Sequence, residues 1–197
     1  MKKLIVATKN QGKVNEFREM FSKYGIETYS LNDLDTHIPD VEETGTTFEE
    51  NAQLKAETIA DLLQVPVLAD DSGLEVDALN KRPGVFSARF AGEDKDDHRN
   101  LEKVLDELKS IENREARFVC ALALAIPGQE TIFERGTCEG MIATKSYGDR
   151  GFGYDPIFIP RGYEETFAQL PSDVKNQMSH RSRAIQQMET SIQNILT

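Results

Sequence analysis

RFVCALALAIPGQETIFERGTCEGMIA, residues 117–143, decides between two kinds of α/β sheet. Val119 to Ile126 is an unbroken apolar run, far short of the roughly 18 residues that cross a bilayer. It reads as a strand. Pro127-Gly128 then supplies a turn, and Thr131 to Ala143 reads as a second long strand, so the stretch predicts a hairpin. Upstream, strands and helices alternate: strand Leu4–Ala7, helix to about Tyr24, strand Ile26–Leu31, helix to about Leu63, strand Val67–Ala69. Alternation followed by two adjacent long strands predicts an α/β fold with a mixed sheet flanked by helices, not a purely doubly wound one.

The helices carry their own signals. Val14, Phe17, Met20, Phe21 and Tyr24 recur at helical spacing, and Gly25 follows as a stop. Thr46 and Thr47 each precede a glutamate by three residues, Glu49 and Glu50, the pattern of a capping box. Asp96 to Ser110 reads as a helix burying Leu101, Val104, Leu105 and Leu108. The last helix starts near Ser179, with Ala184, Ile185, Met188, Ile192 and Ile195 inward.

A length of 197 residues suits one large domain or two closely packed lobes. The net charge of −11 repels polyanions, which argues against nucleic-acid binding but leaves room for a small phosphorylated ligand in a local cationic pocket. Lys2 and Lys3 precede only a short apolar run, so no secretory signal or membrane segment is read and a cytoplasmic chain is expected. Cys120 and Cys138 read as reduced core thiols, although two paired strands would also permit a disulfide.

Four clusters carry candidate chemistry. Thr8-Lys9-Asn10-Gln11-Gly12-Lys13 joins a strand to a helix start, where backbone amides and two lysines favour an anion; an ordinary turn with solvated lysines would look the same. It lacks P-loop spacing. Glu42-Glu43 precedes a helix, either as dipole-favoured acids or as ligands. Asp70-Asp71-Ser72-Gly73 reads as the end of a strand, where two carboxylates suit Mg²⁺ or form a plain Asx turn. Phe152-Gly153-Tyr154-Asp155, with Lys175, His180 and Arg181, offers a ring to stack on a base beside cationic groups. The glycines from Gly148 to Gly153 predict a mobile or tightly turned loop.

Taken in order, Ala7 to Lys13, Glu42 to Gly45, Ala69 to Leu74, Gly151 to Pro156 and Ser179 to Arg181 resemble the inosine/xanthosine triphosphate pyrophosphatase family. Pro83 to Arg89 also resembles the family's stretch after the aspartates. The resemblance implies a single pyrophosphatase domain over 1–197, with a long twisted sheet and an active-site cleft between two lobes. It implies a homodimer, Mg²⁺ as cofactor, and a deaminated purine nucleoside triphosphate (ITP, dITP or XTP) as substrate. Thr8 to Lys13 would then hold the triphosphate, Glu43 and Asp71 the metal, and Asp71 would accept the proton. Ser72, Phe152 to Asp155, Lys175, His180 and Arg181 would touch the nucleotide.

Overall fold

The computed structural model describes residues 2–195. Six strands form one mixed sheet: β1 (Lys2–Val6), β2 (Ile26–Ser30), β3 (Val67–Val76), β4 (Glu115–Ala125), β5 (Ile132–Ile142) and β6 (Phe158–Pro160), in the order β2-β1-β3-β4-β5-β6. β1 runs parallel to β2 and β3, and β5 antiparallel to β6. Among the described residues five α-helices accompany them: α1 (Gln11–Ser22), α2 (Phe48–Leu63), α3 (Asp97–Glu107), α4 (Ser172–Met178) and α5 (His180–Ile195). None is long and apolar enough to cross a membrane among the described residues.

The chain divides into two compact units. The first takes the residues up to Asp71, Cys120–Arg135, and those from Ser182 on; the second takes Ser72–Val119 and Gly136–Arg181. Each has its own apolar core. In the first, Leu4 and Val6 of β1, Phe17, Met20 and Phe21 of α1, and Leu68 of β3 pack with Cys120, Leu122 and Leu124 of β4 and with Ala184, Ile185, Met188 and Ile192 of α5. In the second, Leu74 and Val76 pack with Leu101, Val104 and Leu108, and with Phe118, Phe158 and Phe167. Residues 118–125 of β4 are all buried, as a strand covered on both faces requires.

Local sequence explains the element boundaries. Thr47 caps α2, accepting a hydrogen bond from the Glu50 amide while the Glu50 carboxylate accepts from the backbone amides of Thr46 and Thr47. Of the two capping boxes legible in sequence, only the Thr47–Glu50 one forms. Asn10 caps α1 by accepting from the Lys13 amide at 3.0 Å. That helix ends at Ser22, two residues before the expected Tyr24, and Gly25 follows with φ +68. The two cysteines are buried and form no disulfide.

One sequence expectation fails. Asp70-Asp71-Ser72-Gly73 does not end a strand; all four lie inside the continuous β3. Aspartates normally terminate strands because burial leaves their charge unpaid by water. Here each carboxylate meets a lysine, and that partnership keeps the strand running. α4 is a second departure: seven residues with only two apolar side chains, Val174 and Met178, are too short a pattern to read as a helix from sequence.

Candidate functional site

Strand alternation sends the side chains of Asp70 and Asp71 in opposite directions. Asp70, fully buried, pairs with the Lys13 ammonium and accepts a hydrogen bond from the Cys120 thiol at 3.1 Å. Lys13 is therefore not the solvated lysine that an ordinary turn would hold. Asp71 faces Lys55 of α2, whose ammonium lies 3.5 Å from Asp71 Oδ1, donates to the Asp70 carbonyl at 2.8 Å and pairs closely with Glu43. Lys55 thus gathers the two carboxylates that the sequence singled out as metal ligands.

Sequence reasoning missed Lys55. A signal existed: it lies on the buried stripe of α2 with Asn51, Ala52, Ala56 and Ile59, where a lysine has to find a buried anion. Burial works against its charge, but Asp71, Glu43 and Asp70 outweigh that and hold its pKa above the ordinary lysine value. Gly45 lets this loop close down. Its amide donates to Asn51 Oδ1 at 2.8 Å, and a Cβ there would lie 2.6 Å from the same oxygen.

Burial is the largest influence on Asp71 and raises its pKa from 3.8 to about 6, against the opposing charges of Lys55 and Lys13. Its Oδ2 is buried with no hydrogen-bond partner among the described residues. An ionisable oxygen left in that state is costly, and a proton or a divalent cation would each remove the cost. Among the described residues no three His, Cys, Asp or Glu side chains gather as a metal cage. Two carboxylates completed by water and phosphate oxygens are, however, the donor set Mg²⁺ prefers, so Glu43 and Asp71 fit it.

The raised pKa predicts how the metal-free chain responds to pH. A carboxyl with a folded pKa of about 6 and an unfolded value of 3.8 stabilises the fold below pH 3.8, and this contribution is lost as the pH rises through 6. The full difference is on the order of 3 kcal/mol. Urea titrations in EDTA at pH 5 and pH 7 should show wild type losing stability relative to Asp71→Asn at the higher pH. Parallel profiles for the two proteins would contradict the assignment.

The strand-to-helix turn has the form expected of an anion site. The Gln11 and Gly12 amides at the start of α1 have no acceptor among the described residues, since Asn10 takes only the Lys13 amide. Thr8 Oγ1 accepts from the Asn10 amide at 3.1 Å. Lys9 donates to Asp40 at 2.7 Å and to the Ile38 carbonyl at 3.1 Å; the Asp40 pair is exposed and weak, and readily exchanged. Glu42 is exposed and enters no such cluster among the described residues.

In the second unit, the loop before Asp155 is tightly turned. Gly148, Gly151 and Gly153 all have positive φ, and a Cβ at Gly151 would lie 2.0 Å from Asp155 Oδ2. Asp155 is buried; its Oδ2 accepts from the Phe152 amide at 3.1 Å and from Lys175 Nζ at 2.6 Å. Lys175 Nζ also sits 5.1 Å from the Phe152 ring centroid, and the Arg181 guanidinium 6.0 Å from it. Arg181, almost wholly buried, donates to Ser72 Oγ at 3.0 Å. His180, the first residue of α5, stacks on Phe118 with ring centroids 4.8 Å apart. Phe152, Asp155, Lys175, Arg181 and Ser72 are thus brought together. Tyr154 is different: it is buried and its hydroxyl donates to the Ser87 carbonyl at 2.6 Å, so the phenol supports the loop from beneath. Lys175 lies within α4, whose last turn leads directly into the start of α5.

A mixed α/β sheet carrying two buried carboxylates on one strand, each answered by a lysine, beside a helix start with open amides, defines an α/β enzyme equipped for phosphorylated ligands. The chain belongs to the Ham1 family, whose model matches residues 4–191. The dITP/XTP pyrophosphatase of Oceanobacillus iheyensis is 57% identical over 197 residues, covering 99% of this chain and 100% of its own. Among solved structures, the Ham1 protein of Staphylococcus aureus is 46% identical with a TM-score of 0.84, covering 98% of this chain and 99% of its own. A HAM1 protein from Coxiella burnetii is 38% identical with a TM-score of 0.87, covering 98% and 100%.

Proposed function

We infer that the chain hydrolyses deaminated purine nucleoside triphosphates (ITP, dITP and XTP) to the monophosphate and pyrophosphate, clearing them from the nucleotide pool. The observation that carries this reading is Asp71: a buried carboxylate with one orphaned oxygen, a pKa raised to about 6, and Lys55, Glu43 and Lys13 around it. Relatives that match end to end and are named dITP/XTP pyrophosphatase support the substrate class.

The residues divide the work. Asp71 orients a water against the α-phosphorus and takes its proton, the task of a positioned carboxylate base. The new P–O bond forms as the bond between the α- and β-phosphates breaks, and pyrophosphate leaves. Amides at the start of α1, with Lys9 and Lys13, stabilise charge on the departing group. Mg²⁺ held by Glu43 and Asp71 would supply charge neutralisation at the phosphate oxygens. Phe152 offers its face to the base, with Lys175, His180 and Arg181 as polar and cationic neighbours, and Ser72 contacts the nucleotide.

Base choice follows from hydrogen-bond polarity. Hypoxanthine and xanthine present a 6-keto acceptor and an N1–H donor, and adenine reverses both. A site built for the first pair leaves buried groups unpaired with the second, a mismatch worth up to about 10⁴-fold in kcat/KM. A panel of ITP, XTP, dITP, ATP, GTP and pyrimidine triphosphates, assayed separately for pyrophosphate and orthophosphate with and without Mg²⁺, tests the proposal. Pyrophosphate from ITP and XTP, dependent on Mg²⁺, is expected. Orthophosphate as the product, or comparable kcat/KM for ITP, ATP and GTP, would overturn it.

The working form is a homodimer in the cytoplasm. The family resemblance supports the dimer, and light scattering at twice the chain mass is the expected result. Two buried thiols that form no disulfide fit a reducing compartment.

A further inference from the structure

The Gly153 amide donates to Asp97 Oδ2 at 2.8 Å, across 56 residues of chain. Asp97 opens α3, directly after the N-cap Asp96, whose own carboxylate already satisfies the Arg99 amide. The Asp97 carboxylate is therefore not needed as the cap, and it reaches out of its helix to the glycine loop. Packing does not hold that point of the loop: a Cβ at Gly153 would meet nothing within 4 Å, and the residue sits at φ +61. On the other flank, the neighbouring Phe152 amide donates to Asp155. Two successive amides are thus held by carboxylates from different elements, and the Phe152 ring belongs to the residue between the pinned points.

We propose that Asp97 is a positioning residue for base recognition: by holding the Gly153 amide, it fixes the aspect that the Phe152 ring presents to the purine. This rests on the reading of Phe152 as the base platform. A carboxylate acceptor is suited to the task because a charged acceptor makes a stronger hydrogen bond to a backbone amide than a neutral one. The tether falls at the one point of this turned loop, Gly153, where no side chain or close packing fixes the backbone.

The test uses two product ligands as inhibitors of ITP hydrolysis, IMP for the base side and inorganic pyrophosphate for the phosphate side. Asp97→Ala should raise the Ki of IMP by about 5- to 10-fold, the equivalent of one lost hydrogen bond, and leave that of pyrophosphate within about 2-fold. Asp97→Asn, whose amide oxygen still accepts, should recover most of the loss. If the alanine variant does not fold, Asp97→Ser keeps a helix-start residue while being too short to reach Gly153. Phe152→Ala separates the two ideas. If it weakens IMP while Asp97→Ala does not, the positioning role is wrong and the base platform stands. If neither weakens IMP, the platform reading falls and takes this proposal with it. Equal loss for IMP and pyrophosphate, or no rescue by asparagine, would mark Asp97 as merely structural and overturn the proposal.

Discussion

Asp71→Asn should lower kcat for ITP by about 10²- to 10⁴-fold, the range lost when a positioned general base is removed. The substitution keeps the shape of the side chain and removes both its basicity and its value as a cation ligand. The loss should therefore be accompanied by a higher Mg²⁺ requirement, read as the metal concentration giving half-maximal rate. The fold should survive. Asp71 is buried at a cost, and a neutral amide removes that cost in the metal-free chain. Near-wild-type turnover in a folded Asp71→Asn protein would show that another group activates the water.

Lys13→Met should be the more damaging change for stability, by about 3–5 kcal/mol, because it strands the fully buried Asp70 without its counter-charge. For a chain of this size each kcal/mol is roughly 2–4 °C in Tm. The Cys120 thiol remains as a hydrogen-bond donor to Asp70, which favours the lower end of the range. The double variant Lys13→Met, Asp70→Leu should recover much of the stability, since replacing both members of a buried pair with apolar groups is often neutral. Activity should not recover with it, because Lys13 is also assigned to the triphosphate. If Lys13→Met leaves Tm unchanged, the pair with Asp70 does not brace the fold.

Much of the fold was legible because its signals are local. The apolar run in β4, the Thr47–Glu50 capping box and the helical spacing in α1 and α5 each lie within a dozen residues. The candidate site was legible as a set of segments but not as a set of partnerships. Asp70-Asp71-Ser72-Gly73 has turn composition, and what keeps it extended is a lysine 57 residues upstream of Asp70 and another 16 residues upstream of Asp71. The hydrogen bond from Arg181 to Ser72 spans 109 residues and that from Gly153 to Asp97 spans 56, so no window of sequence contains either. Tyr154 shows the converse limit. Its place among functional residues gave no hint that its hydroxyl is committed to the Ser87 carbonyl.

The opposed directions of Asp70 and Asp71 constrain how this gene segment can change. Their two duties are separated only by the parity of the strand, so deleting or inserting one codon between Leu68 and Asp70 would hand each aspartate the other's surroundings. A residue that anchors α1 would then meet α2, and the residue proposed to accept the proton would be tied up against a helix start. Point substitution can explore this stretch, whereas changes in its length are closed to it.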